Sequence, residues 1–145
     1  MHLEIICLVT LLIAAISDLL TMEVDPLIFL VGGATEFTWF ILHPSEPGLI
    51  GITPHERLLG TIALFGFMLC FALFSGMGGA DVLAGSLCGF TLGYMALSAT
   101  LIASVATLPF LYYRKWKGRG DESYPFIPFI FGGYLLTLIL LEVKL

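Results

Sequence analysis

Polar residues divide the chain into five apolar blocks: Leu3–Leu20, Leu27–Leu42, Leu58–Gly76, Val82–Tyr113 and Tyr124–Val143. A helix needs about 20 residues to cross ~30 Å of hydrocarbon. The third and fifth blocks fit one crossing each, and the first two are a little short and extended by their flanks. The fourth block runs 32 residues without a charge, which as one straight helix would reach ~48 Å. That is too long for one upright crossing and barely enough for two.

Basic residues decide between the two counts, because cytoplasmic loops carry an excess of Lys and Arg. Four of the six cluster in one short loop, as Arg114, Lys115, Lys117 and Arg119. The loop Leu20–Pro26 has none, the loop His43–Arg57 has Arg57, and Lys144 is terminal. If the fourth block folds as a hairpin turning near Gly89 to Met95, the basic loop shares a side with Leu20–Pro26 and with Gly76–Asp81. That side is the cytoplasm. The expectation is an all-α membrane bundle with six transmembrane spans, both termini outside and one domain over residues 1–145. On either count, the ends of the first and third spans share a side.

Composition supports the membrane reading. Of 145 residues, 59% are hydrophobic and only 12% charged, with a mean hydropathy of +1.03. A soluble domain averages about 25% charged residues, so a soluble enzyme, a nucleic-acid binder and a disordered chain are all excluded. The net charge of −5 is no evidence for a basic partner. Cys7, Cys70 and Cys88 lie in apolar segments with no Cys-x-x-Cys pairing, which makes neither a disulfide framework nor a zinc site. The run Ile5 to Ser17 has Glu4 and no Lys or Arg ahead of it. A secretory n-region is positive, so this reads as a retained first span.

Two acids fall where acids are expensive. Asp18 ends the first span and Asp81 follows the third, so the parity of the spans puts both at one membrane surface. An ionisable group within a span costs about 2.5–3.5 kcal/mol on insertion scales and is a functional hypothesis by default. Two carboxylates brought close hold a single proton between them. One then takes a proton from water while the other donates to a carbonyl oxygen, which is the chemistry of aspartic proteolysis. On spacing alone, each acid taken singly reads better as a solvated interface residue. The stretch Ser75-Gly76-Met77-Gly78-Gly79-Ala80-Asp81 adds a small-residue backbone that an extended peptide can approach closely, although glycine-rich turns are common.

Gly78-Gly79-Ala80-Asp81 resembles the Gly-x-Gly-Asp motif of intramembrane aspartic proteases. Ser17 to Pro26 resembles the first-aspartate segment of the type IV prepilin peptidases, and Tyr124-Pro125-Phe126-Ile127-Pro128-Phe129-Ile130 resembles the start of that family's last span. The two aspartates stand 63 positions apart with one span and one outer loop between them, in the family's order. The resemblance implies a membrane peptidase, set in the lipid bilayer, that removes short basic leaders from precursors of pilins, archaellins and related filament subunits at the cytoplasmic face, each precursor carrying its own hydrophobic helix after the leader. It carries the catalytic pair over to Asp18 and Asp81, with Gly78, Gly79 and Ala80 shaping the substrate approach. It implies no metal or organic cofactor and no nucleic-acid partner.

The chain departs from the family pattern at four places. Ala80 stands where the motif has Gly, and Leu83 where Lys is frequent. The turn after Asp18 has Leu20 and Met22 in place of a basic residue. The cysteine-rich segment of the long methylating enzymes is missing, so methylation is not expected, and the short form is closer to archaeal members.

Glu36 lies near mid-membrane beside Thr35 and Thr38 and reads as a packed structural acid. Glu23 and Asp25 in the cytoplasmic turn suit a leader rich in Lys and Arg equally as well as they suit plain solvation. His43 and His55 border the outer loop with Glu46 and Glu56 without a helical i, i+4 ligand pair. Trp39, Tyr112, Tyr113, Trp116 and Tyr124 sit at span ends, where amphipathic rings favour the headgroup zone. Pro109, Pro125 and Pro128 suggest kinks or unwound entrances. Asp18, Glu36 and Asp81 would also serve a small proton- or ion-coupled transporter or channel, and Ala80 and Leu83 would suit a homologue that binds precursors without cutting them.

Overall fold

The computed structural model describes residues 2–44, 51–75, 78–118 and 124–143, with backbone only at 74 and 75. Glu46, Gly76, Met77, Arg119 and Lys144, named above, lie outside the described residues. The described residues form six α-helices: α1 His2–Thr21, α2 Pro26–Leu42, α3 Pro54–Ser75, α4 Gly79–Leu92, α5 Ala96–Trp116 and α6 Ile127–Glu142. A 3-10 turn, Gly93–Met95, joins α4 to α5. Among the described residues there is no strand.

Local chemistry sets the helix starts. The Asp25 side chain accepts from the Leu27 N–H at 2.9 Å ahead of Pro26, a good first helical residue. At α3 the capping is reciprocal. The Thr53 N–H donates to Glu56 Oε2 at 2.8 Å, and the Glu56 N–H donates to Thr53 Oγ1 at 3.3 Å. This box starts α3 at Pro54, four residues before the apolar block it was expected to follow. His55, Glu56 and Arg57 are therefore helical and not part of the outer loop.

The long fourth block breaks at Gly93, whose φ of +54° and ψ of −133° suit only glycine. The contacts show that the chain reverses there. Helix α1 lies antiparallel to α4, with Cys7 against Cys88 near one end and Asp18 within reach of the Asp81 charge at the other. Helix α1 is also antiparallel to α6, through Asp18 with Ile127 and Glu4 with Tyr134. Helix α5 in turn runs antiparallel to α6, with Ala99 and Ala103 under Gly133 and Phe110 beside Phe129. Helices α4 and α5 therefore point in opposite directions.

The helices meet through small residues. A Cβ at Gly60 of α3 would stand 2.6 Å from the carbonyl oxygen of Gly89 in α4, so the two backbones touch there. Cys7, Leu11, Leu64, Met68, Leu92 and Tyr134 fill the centre. Large apolar side chains such as Leu30, Leu73, Leu101 and Val105 face outward. A water-soluble globule hides such residues, and this bundle presents them around its perimeter. Among the described residues, three helical runs are long and apolar enough to cross a membrane: His2–Thr21, Pro54–Leu73 and Gly79–Trp116, the last comprising α4, the turn and α5. Pro26–Leu42 and Ile127–Glu142 are shorter apolar helices.

Candidate active site

The buried face of α1 is a single stripe: Glu4, Cys7, Leu11, Ala14 and Asp18, at spacings of three and four. This periodicity turns Asp18 inward although it lies in the last turn of the helix, and it is only 8% exposed. Its Oδ2 accepts from the Ile127 N–H at 3.1 Å. That N–H belongs to the first turn of α6, where backbone donors have no partner inside the helix. Asp18 thus caps a helix 109 residues away in sequence, and the bond fixes the orientation of its carboxylate.

Asp81 sits in the first turn of α4 and is 9% exposed. Its N–H donates to the Gly78 carbonyl at 3.1 Å. The Asp18 charge reaches Asp81, so the structure gathers the two at one end of the bundle. Gly78 has φ −68° and ψ 148°, which any residue adopts, so no backbone strain calls for glycine there. A Cβ there would lie 3.5 Å from Asp81 Oδ2. Nothing lies within 4 Å of the corresponding point at Gly79, and both glycines are exposed. Ala80 packs against the hydrophobic core, so its methyl turns away from the exposed glycine backbone.

Tyr124 was read from sequence as an interfacial ring at the start of the last span. It lies close enough to Asp81 to feel its charge, and burial followed by that charge pushes the phenol up. The Tyr124 ring stands 6.4 Å from both Phe110 and Phe126. The non-helical stretch Tyr124–Phe126 is the unwound entrance that Pro125 and Pro128 suggested. Pro109 lies inside α5, which continues through it.

The turn after Asp18 is tightly knit. Thr21 Oγ1 lies 2.6 Å from the Glu23 carbonyl, to which the Ser17 hydroxyl also donates at 3.2 Å. Met22 is held at φ +56°, a conformation that non-glycine residues rarely adopt. Glu23 and Asp25 are exposed on this turn, and Asp25 is also engaged in capping α2.

A second buried polar centre lies at the far end of α1. Arg57, expected in the outer loop, is 2% exposed, and its Nη1 donates to the carbonyls of Phe90 at 3.2 Å and Thr91 at 2.9 Å. These are among the last carbonyls of α4, which lack N–H donors inside the helix. Glu4 and Glu36 both act electrostatically on Arg57. Glu36 is fully buried and accepts from the Thr91 hydroxyl at 3.3 Å. Thr35 and Thr38 instead bond to their own helix, at the carbonyls of Val31 and Ala34. The Thr53, Pro54 and Glu56 signature could have placed Arg57 on a helix. Nothing in the sequence named Phe90 and Thr91 as its acceptors.

His43 lies outside the acid pair, its ring stacked on Trp39 with centroids 4.1 Å apart. Among the described residues, no group of three or more His, Cys, Asp or Glu is placed to hold a metal ion.

The model of the type IV leader peptidase family matches residues 5–141, and the chain belongs to that family. No curated protein and no solved structure matches it. Family membership favours a leader-peptidase-like function over the transporter reading of the same acids.

Proposed function

We propose that this member of the type IV leader peptidase family is a membrane aspartic endopeptidase that removes short basic leaders from pilin-like or archaellin-like precursors. Asp18 and Asp81 are its catalytic pair. They share one proton, and the unprotonated carboxylate takes a proton from the attacking water. The protonated partner donates to the scissile carbonyl oxygen as the tetrahedral adduct forms. Collapse of the adduct breaks the C–N bond, and the departing amine takes up a proton from the pair.

The observation that carries this reading is the placement of Asp18 and Asp81 within electrostatic reach of each other. They come from helices far apart in sequence, are buried at the same end of the bundle, and are close enough for their charges to interact. The exposed Gly78–Gly79 backbone beside Asp81 offers an edge along which an extended substrate can lie. Glu23 and Asp25 beside it favour a leader rich in Lys and Arg.

Six crossings, both termini outside and an active site facing the cytoplasm fit this reading. The reversal at Gly93 supports two crossings in the fourth block, and Arg114, Lys115 and Lys117 then lie at the end where the acids meet. The test is co-expression with a filament precursor, read as the shift from precursor to mature mobility. Wild type is expected to process it, and Asp18→Asn and Asp81→Asn to insert normally without processing. Processing by both variants at the wild-type rate would remove the mechanism, and its absence in wild type would favour a binding homologue.

A further inference from the structure

A cavity of about 510 Å³ opens along the outer side of the bundle between α2 and the α3/α4 pair. Leu27, Leu30 and Phe37 line it from α2, and Leu83, Leu87 and Phe90 from α4. We propose that this groove seats the apolar helix of the precursor, an inference that rests on the leader-peptidase reading above.

Three observations select that occupant. The first is continuity with the acid pair. Leu83 lies two residues beyond Asp81 on α4, and Asp25, also in the lining, belongs to the turn that follows Asp18. A chain passing the two aspartates in extended form would therefore enter the groove directly. The second is size. A helix ~10 Å across, sunk to half its depth, fills roughly 510 Å³ over ~13 Å, or about nine residues. The cavity holds one face of one helix.

The third is charge. The acids at the mouth, Glu23 and Asp25, lie where a basic leader remains once its helix has entered the groove.

The groove also gives Leu83 a role. It stands where the family often has Lys, and here it extends the apolar wall toward Asp81. Gly33, in the same lining, has only Leu87 Cδ1 near its missing side chain, at 3.6 Å. The open space there admits a close-lying helix.

The test uses full-length protein in membranes with a tagged precursor that joins a lysine-rich leader to an apolar helix of about 20 residues. Cleavage by wild type is measured first, and its absence would count against the peptidase reading, not the groove. A photo-crosslinking amino acid is then placed at Leu30, at Phe37 or at Leu101, in the Asp81→Asn background so that the precursor is held uncut. Leu30 and Leu101 are equally exposed, at 68% and 62%, but Leu101 lies on α5 away from the groove. Precursor adducts are expected at Leu30 and Phe37 at least tenfold above those at Leu101. In addition, Gly33→Phe is expected to lower cleavage at least tenfold at unchanged membrane content. Equal adducts at all three positions would overturn the proposal. So would adducts at Leu30 and Phe37 with lipid or a second copy of the chain alone, while wild type still cuts the precursor.

Discussion

Asp18 and Asp81 stood out because a charge at a span end is costly and an apolar chain has few of them, although neither taken singly pointed to chemistry. Their surroundings did not stand out. Asp18 is held by the backbone N–H of Ile127, and a main-chain donor leaves no mark in sequence beyond the prolines that free it. Gly78 and Ala80 show how the structure re-sorts a motif. A side chain at position 78 would meet Asp81 Oδ2, whereas the Ala80 methyl is packed into the core. Gly78→Val is therefore expected to lower the rate of leader removal at least tenfold at normal protein levels. Ala80→Gly, which restores the family spelling, should change it less than threefold. Initial rates of precursor processing, normalised to inserted enzyme, check both.

At the scale of elements, the helices were predicted within a few residues except where chemistry outweighed hydropathy. Helix α3 starts at Pro54 because Thr53 and Glu56 cap each other, and this extra turn carries Arg57 into the bundle to cap the end of α4. Helix α6 starts only at Ile127, because the proline-rich stretch before it stays unwound and faces Asp18. The hairpin in the fourth block was anticipated from its length, and Gly93 is the residue whose conformation permits it. Helix α4, which carries Asp81, is positioned by its backbone contact with α3 at Gly60 and Gly89. Gly60→Ala forces those backbones apart and should destabilise the protein by about 1–3 kcal/mol. Asp81 moves with α4, so cleavage per folded molecule should fall as well. Thermal unfolding in detergent beside the processing rate separates the two effects.

For the whole molecule, polarity is inverted relative to a water-soluble globule. Leu, Val and Phe cover the perimeter, while Glu4, Asp18, Glu36, Arg57 and Asp81 are enclosed. Composition made this legible, but which acids and bases would meet depended on helix pairing, which hydropathy does not encode. The same stripe of α1 supplies Glu4 to one polar centre and Asp18 to the other, ~21 Å apart along the helix. With six crossings and the acid pair toward the cytoplasm, tags on both termini should be digested by protease added outside intact cells. A tag in the loop after Trp116 should resist it. Protection of either terminal tag would contradict the orientation.

The central claim is that Asp18 and Asp81 act as one catalytic unit. It is tested most directly by single-turnover cleavage of a lysine-leader precursor in proteoliposomes by wild type, Asp18→Asn, Asp81→Asn and the double variant. Removing one acid–base partner should slow cleavage by about 10²–10⁴-fold. Members of a unit are strongly non-additive, so the double variant should be scarcely slower than either single one. Losses that multiply, or near-wild-type cleavage by either single variant, would contradict the account.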